Sequence, residues 1–215
     1  MIREVSSNEL YTLLLVCCLL IVAAAKLVSE KRFNDFIYVF TNWKYLKIYA
    51  RDQKFFDKFD ALLFVNLIIS GSLFIVIAYQ HFNSISGTFI NVLFKITVGL
   101  GSFFLIKVLL ERLIGSLFEI DKIIDDYLFQ KITYKNYLGM ILLPINALLI
   151  YSIPPNNLLF YMIFGILLVV TFTGLITSFK RHQSLIKNNI FYFILYLCAL
   201  EIAPCVILYK VFILD

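Results

Sequence analysis

The composition of this 215-residue chain is that of a protein whose main solvent is lipid. Hydrophobic residues make up 61% of it, charged residues only 15%, and the mean hydropathy is +0.90. Soluble domains use about a quarter charged residues to cover their surface, so the composition excludes a soluble globular protein. The 19 Lys and Arg exceed the 14 Asp and Glu. This surplus lies beside hydrophobic segments rather than on a contiguous basic face, which argues against nucleic-acid binding.

Six hydrophobic segments are long enough to cross the hydrocarbon core of a bilayer, which takes about 20 residues of helix. The sequence therefore predicts an all-α fold, a single integral membrane domain over residues 1–215 that is a bundle of about six transmembrane helices. The fourth segment is the weakest, because it begins with polar residues and tyrosines and contains Pro144. Pro154 and Pro155 then predict a close antiparallel hairpin between the fourth and fifth spans. The six segments are residues 10–28, 61–80, 90–110, 134–151, 157–178 and 190–210.

The first segment admits a second interpretation, a cleavable signal peptide that ends near Ala23-Ala24-Ala25. However, acidic residues precede the apolar run and strongly basic residues follow it. These flanks favour a retained span whose N-terminus lies outside.

The charges of the loops predict an orientation. The first, third and fifth loops contain many Lys and Arg, whereas the second (81–89) and the fourth (152–156) contain none. By the positive-inside rule the three basic loops are cytoplasmic. We therefore expect a multi-pass protein of the bacterial inner (plasma) membrane with both termini in the periplasm.

The first loop, residues 29–60, is predicted to form cytoplasmic amphipathic helices. Its first apolar residues recur at i, i+3, i+4 and i+7, which is the pattern of a helix with one apolar face. Aromatic residues interleaved with cations favour a helix in the lipid headgroup region. The alternative is a docking surface for a protein partner, because the acids in the loop weaken a purely electrostatic account of lipid binding. The residues of this candidate surface are Phe33, Phe36, Phe40, Trp43, Tyr45 and Tyr49.

Glu201 lies near the middle of the sixth predicted span. An unpaired charge at that depth costs at least ~2.5 kcal/mol on insertion scales, so we expect it to be paired or hydrated. Lys95 and Lys107 of the third span are the candidate partners, although Lys107 and Glu111 are four apart and can also pair with each other. We favour a buried pair that fixes helix packing. The alternative is a proton or ion site that includes Asn146.

No motif of a catalytic or metal-binding site occurs in the chain. His81 and His182 fall on opposite sides of the predicted membrane, and the four cysteines lie in apolar runs without CxxC spacing. We therefore predict a protein that is not an enzyme and that has no cofactor and no metal.

Three segments together resemble a family of bacterial inner-membrane proteins of the Bacteroidetes type, known as a domain of unknown function. The first is Lys31-Arg32-Phe33, and the second is Tyr137-Leu138-Gly139 leading to Leu143-Pro144. The third is the run Tyr196-Leu197-Cys198-Ala199-Leu200-Glu201-Ile202-Ala203-Pro204 with Tyr209-Lys210. The resemblance covers nearly the whole chain and implies a multi-pass membrane protein, without an activity that transfers to particular residues.

The function that we expect from the sequence is a non-enzymatic subunit or assembly factor of a membrane complex. Its partners would be the lipid bilayer and another membrane protein, with no nucleic acid. The alternative is a small transporter or proton-coupled membrane protein that uses the midplane carboxylate of Glu201.

Overall fold

The computed structural model describes residues 9–39, 44–49, 57–82, 89–117, 121–152 and 156–186, and every secondary-structure element in these ranges is a helix. The all-α prediction is confirmed. The helices are α1 (Glu9–Val28), α2 (Glu30–Ile37), α3 (Lys44–Tyr49), α4 (Lys58–Phe82), α5 (Phe89–Leu117), α6 (Asp121–Tyr151) and α7 (Asn157–Ile186).

Four of the helices in the described ranges, α1, α4, α5 and α7, are long and apolar enough to cross a membrane. They coincide with the first, second, third and fifth predicted spans. The sixth predicted span, 190–210, lies outside the described residues, so the total of six stays a prediction.

Helix α6 contains the fourth predicted span in its second half, but it begins much earlier, at Asp121. Its 31 residues continue through Pro144 without a break in the helix. The first half of α6 carries acids, lysines and amides, which lowers its average hydropathy below that of the four apolar helices. The weak hydrophobic signal of the fourth span therefore comes from a long helix that is polar at one end.

Long helices that follow one another in the chain run in opposite directions. At one end of the bundle the Tyr11 hydroxyl donates to the Gln80 side chain at 2.7 Å, and His81 Nε2 lies 2.7 Å from Asn157 Oδ1. At the other end, the last turns of α1 share a core with α2, α3 and the start of α4. The alternation of spans expected from the sequence is therefore present in the packing. We call the end that carries α2 and α3 the basic end, because the lysines and arginines of the helix connections lie there.

Helix α4 is the centre of the bundle and packs against α1, α5 and α6. Its most apolar stretch is 61% buried, compared with 11% for that of α5. Helix α6 approaches α4 most closely at Gly139, where a Cβ atom would lie 2.5 Å from the Cα of Leu67. The Ser70 hydroxyl donates to the Gly139 carbonyl at 3.0 Å at the same contact. The two backbones can meet here because residue 139 has no side chain.

Candidate functional site

A buried arginine organises the basic end. Arg32 of α2 is 8% exposed, and its guanidinium bridges two carboxylates, with 2.8 Å from Nη1 to Asp57 and 2.7 Å from Nη2 to Asp60. Its Nε donates to the Tyr45 hydroxyl at 3.2 Å. One side chain therefore joins α2, α3 and the start of α4 through all three of its nitrogens.

The electrostatics of this cluster keep Arg32 charged and Tyr45 neutral. Burial disfavours the charged guanidinium, but Tyr45 and the Asp60 and Asp57 carboxylates outweigh it and hold the pKa of Arg32 above its ordinary value. Burial, followed by the Asp60 carboxylate, raises the pKa of the Tyr45 hydroxyl. A cation that is held this firmly between two acids has a structural rather than a catalytic character.

Aromatic residues from the described part of the first loop surround the cluster. The Arg32 guanidinium carbon lies 4.9 Å from the ring centroid of Phe59 and 5.3 Å from that of Tyr49. Phe36 makes edge contacts with the rings of Tyr45 and Phe59, at centroid distances of 5.7 Å and 5.9 Å. The apolar stripe of α2 thus faces a protein core that covers the end of the bundle.

A second buried ion pair joins α5 to α6 near the basic end. Lys131 Nζ lies 2.5 Å from Glu111 Oε1, and the Glu111 side chain is only 1% exposed. Lys107, one turn earlier on α5, is 6% exposed and lies over the Phe103 ring at 6.0 Å from its centroid. Glu111 thus pairs with a lysine of another helix, although a lysine four residues away shares its own face.

The α4–α6 seam is a row of buried polar side chains along the contact of these two helices. On α6 it includes Asn136 and Asn146, and on α4 it includes Asn66 and Ser70, all 0% exposed. The Asn146 amide nitrogen donates to the Ser70 carbonyl at 2.8 Å. The Asn136 amide nitrogen donates to the Asp60 carbonyl at 3.4 Å. The seam therefore follows the close contact of α4 and α6 through the middle of both helices.

The α5 outward face consists of the α5 residues that point away from the described helices. Its polar and small residues lie on one side of α5. Asn91, Lys95, Gly99 and Ser102 are all exposed, and a Cβ atom at Gly99 would meet nothing within 4 Å. Their spacing of four, four and three keeps them within one helix face. The outward face of α1 differs, because its middle part exposes leucine and valine side chains.

The comparison with protein families gives a match over residues 11–212 to the family described as a domain of unknown function, DUF4271. The chain belongs to this family. The match covers the helix bundle from α1 to α7, so the bundle is the DUF4271 domain itself. No curated protein and no solved structure matched the chain.

The resemblance to a domain of unknown function is thereby confirmed, and this DUF4271 protein is a membrane protein to which its family assigns no activity. The family match therefore gives no role to a particular residue, and any argument about function has to come from the geometry.

Of the intramembrane residues predicted to form a polar site in this DUF4271 protein, the structure describes three, and they do not come together. Lys107 is buried, with its ammonium over the Phe103 ring, Lys95 is exposed on the α5 outward face, and Asn146 lies in the α4–α6 seam. Glu201 lies outside the described residues. Its pairing with either lysine stays a prediction.

The described aromatic residues of the first loop lie in a protein core, whereas an interfacial helix would place them against lipid headgroups. Phe33, Phe36 and Tyr45 are 6%, 1% and 1% exposed, because α1, α4 and α6 supply an apolar surface that covers them. Tyr49 is half-buried and donates to Asp35 at 3.1 Å. Phe40 and Trp43 lie outside the described residues, so a lipid or partner contact there stays a prediction.

Sequence reasoning named Arg32 only within the segment Lys31-Arg32-Phe33, and it predicted neither the partners of Arg32 nor the Glu111–Lys131 pair of this DUF4271 protein. Arg32 was one basic residue among many in a loop, and its acidic partners follow 25 and 28 residues later in the chain. The amides and tyrosines around Lys131 indicate that it lies in a helix rather than in a loop. The sequence does not identify the partner of either Arg32 or Lys131.

Proposed function

We propose that this protein is a non-enzymatic subunit or assembly factor of a membrane complex and that it binds another transmembrane helix through the α5 outward face. The observation that carries the proposal is the chemistry of that face. Asn91, Lys95, Gly99 and Ser102 are exposed on the helix that is the least buried of the apolar ones.

The depth of these residues makes lipid a poor neighbour for them. From Asn91 to Ser102 the helix rises about 16 Å, half the thickness of the hydrocarbon core. Amides and hydroxyls have no hydrogen-bond partner in lipid tails, whereas between helices they bond across the contact. Gly99 adds a flat backbone surface on which a second helix can pack closely.

The outward face of α1 differs in its chemistry from that of α5. Leu13, Val16, Leu19 and Leu20 form the outward face of α1 at middle depth, with 48% to 65% of each side chain exposed. Such a face is suited to lipid alone. The bundle therefore has at least one side that needs only lipid and one side whose polar groups favour a protein neighbour.

Photo-crosslinking tests the proposed contact. A photoreactive amino acid at Ser102 is expected to give one discrete protein adduct in native membranes, and the adduct is expected to be lost when Gly99→Leu is added. The measurement is the mass and peptide identity of the adduct. Leu20 on α1 is the matched control, at similar depth and 65% exposed, and is expected to crosslink to lipid only. Lipid adducts alone at Ser102, or the same protein adduct at both positions, would contradict the proposal.

We also propose an orientation and a membrane. The basic end faces the cytoplasm of a bacterium, and the termini are in the periplasm. The support is the charge asymmetry, because the connections at the basic end carry the lysines and arginines and the connections at the opposite end carry none.

Transport or proton coupling is the second candidate function. The α4–α6 seam favours it, because buried polar side chains at membrane depth are typical of substrate and ion paths. This candidate no longer depends on Lys95, which faces away from the bundle.

A further inference from the structure

The α4–α6 seam contains side-chain atoms that lack a hydrogen-bond partner although they are fully buried. Both amide atoms of Asn66 are of this kind, as are Asn136 Oδ1 and Asn146 Oδ1. Asn66, Asn136 and Asn146 are all 0% exposed. Unpartnered polar atoms inside a folded protein are rare, and each of them lowers stability unless a ligand or water satisfies it.

The contacts place these atoms along one side of the α4–α6 interface. Asp60 of α4 lies level with Asn136, and Ser70 lies level with the stretch from Gly139 to Asn146. Asn66 is one turn before Ser70 on the same face of α4, so it lies between these two levels. From Asn136 to Asn146 the seam extends over about 15 Å of helix rise.

The chemistry of the atoms defines what can bind them. The set contains acceptors, which are the amide oxygens, and also a donor, the Asn66 amide nitrogen. A metal cation would satisfy the oxygens but would face the Asn66 N–H group, and an anion would face the oxygens. The ligand must therefore be neutral and must both donate and accept hydrogen bonds.

The packing of the two helices limits the size of the ligand. At Gly139 the backbones of α4 and α6 are in contact, since even a Cβ atom would lie 2.5 Å from the Leu67 Cα. The seam is therefore narrow, and a water molecule is the neutral ligand that fits between such helices and makes about three bonds.

We propose that the α4–α6 seam is a binding site for internal water in the middle of the membrane, with Asn66 as its central residue. The seam holds more than one water molecule: one accepts from the Asn66 amide nitrogen, and each donates at most two bonds to the nearest of the unpartnered oxygens of Asn66, Asn136 and Asn146. The proposal is independent of the helix partner proposed for α5, because no residue is shared by the two surfaces.

Solid-state NMR of the full chain in lipid bilayers tests this site. Magnetisation transferred from water for a few milliseconds is expected to reach the side-chain amide of Asn66. Labelling with ¹³C-Val and ¹⁵N-Asn assigns this residue, because Val65-Asn66 is the only Val-Asn pair in the chain. The exposed side chain of Asn34 is the positive control, and the backbone amide of Leu73, which is 0% exposed, is the negative control. Transfer to Asn34 without transfer to Asn66 would overturn the proposal.

The Asn66→Leu variant gives a second, independent measurement. Leucine has the same branching of heavy atoms as asparagine, with somewhat larger methyl groups in place of its two polar atoms. With water bound in the seam, the variant deprives that water of its partners, and Tm is expected to fall by several degrees. In a dry seam the same change removes two unsatisfied groups and raises Tm, so a rise would contradict the proposal.

Discussion

Replacement of Gly139 by alanine is expected to disrupt the bundle more than any other change of one methyl group. The new Cβ atom would lie 2.5 Å from the Leu67 Cα and 3.0 Å from the Leu67 nitrogen, both of which are backbone atoms that cannot rotate away. Helices α4 and α6 must separate, which also weakens the bond from Ser70 to the Gly139 carbonyl. We expect a loss of about 3 kcal/mol in the free energy of unfolding, the upper part of the range for overpacked cores.

Gly71 provides the matched control for this substitution. It also lies in a membrane helix and is buried, but a Cβ atom there would meet nothing within 4 Å. Gly71→Ala is therefore expected to keep the stability of the parent protein or to exceed it. Denaturation in mixed micelles, followed by circular dichroism, measures both variants. Equal effects of the two substitutions would show that α4 and α6 do not meet at Gly139.

Substitution of Arg32 by glutamine is expected to have the largest effect among the charged residues. The change leaves the buried Asp60 carboxylate, whose side chain is 7% exposed, without its cation. Removal of one partner of a buried ion pair typically costs about 3–5 kcal/mol. Arg32→Lys retains a charge but cannot reach Asp57, Asp60 and Tyr45 together, so its stability is expected to be intermediate.

The neighbouring Lys31 is the control for Arg32. It lies on the same short helix and is exposed, so Lys31→Gln is expected to change stability by no more than about 0.5 kcal/mol. Adding Asp60→Asn to Arg32→Gln is expected to restore part of the loss, because the uncompensated charge is removed as well. If Arg32→Gln unfolds at the same denaturant concentration as Lys31→Gln, the cluster does not hold the basic end together.

The helical class and four of the apolar helices could be predicted from the sequence because both depend on hydropathy averaged along the chain, whereas the orientation stays a prediction. Hydropathy over about 20 residues identifies a membrane helix, and lysine and arginine counts distinguish the two ends. The fourth span shows the limit of this approach. Its apolar half predicted a short span, whereas the helix includes a polar half that hydropathy assigns to a loop.

The role of the aromatic loop could not be predicted, because periodicity shows that one face of a helix is buried but not what covers it. The spacing of Phe33 and Phe36 correctly predicted a helix, and the same spacing suits a lipid surface or a protein core. Glycines are equally ambiguous in sequence. Gly139 and Gly71 both lie in apolar runs, and only their neighbours from other helices distinguish a close contact from open space.

Long-range pairs are the other part of the site that sequence patterns could not supply. Glu111 has a lysine four residues before it, yet its partner in the structure is Lys131 of α6. The spacing of charged residues along one helix shows which of them can pair with each other. It does not show whether a cation from another helix binds the same carboxylate instead. The partners of Arg32 could not be predicted for the same reason, because they lie 25 and 28 residues later in the chain.

The orientation of the bundle is the central claim that a single measurement tests most directly. Ser152, at the opposite end, and Glu30, at the basic end, are both exposed. Each is replaced by cysteine in a chain whose four native cysteines are changed to alanine, and a membrane-impermeant maleimide is applied to cells with a permeabilised outer membrane. We expect Ser152→Cys to be labelled in intact cells and Glu30→Cys only after the inner membrane is broken. Labelling of Glu30→Cys in intact cells would contradict the account.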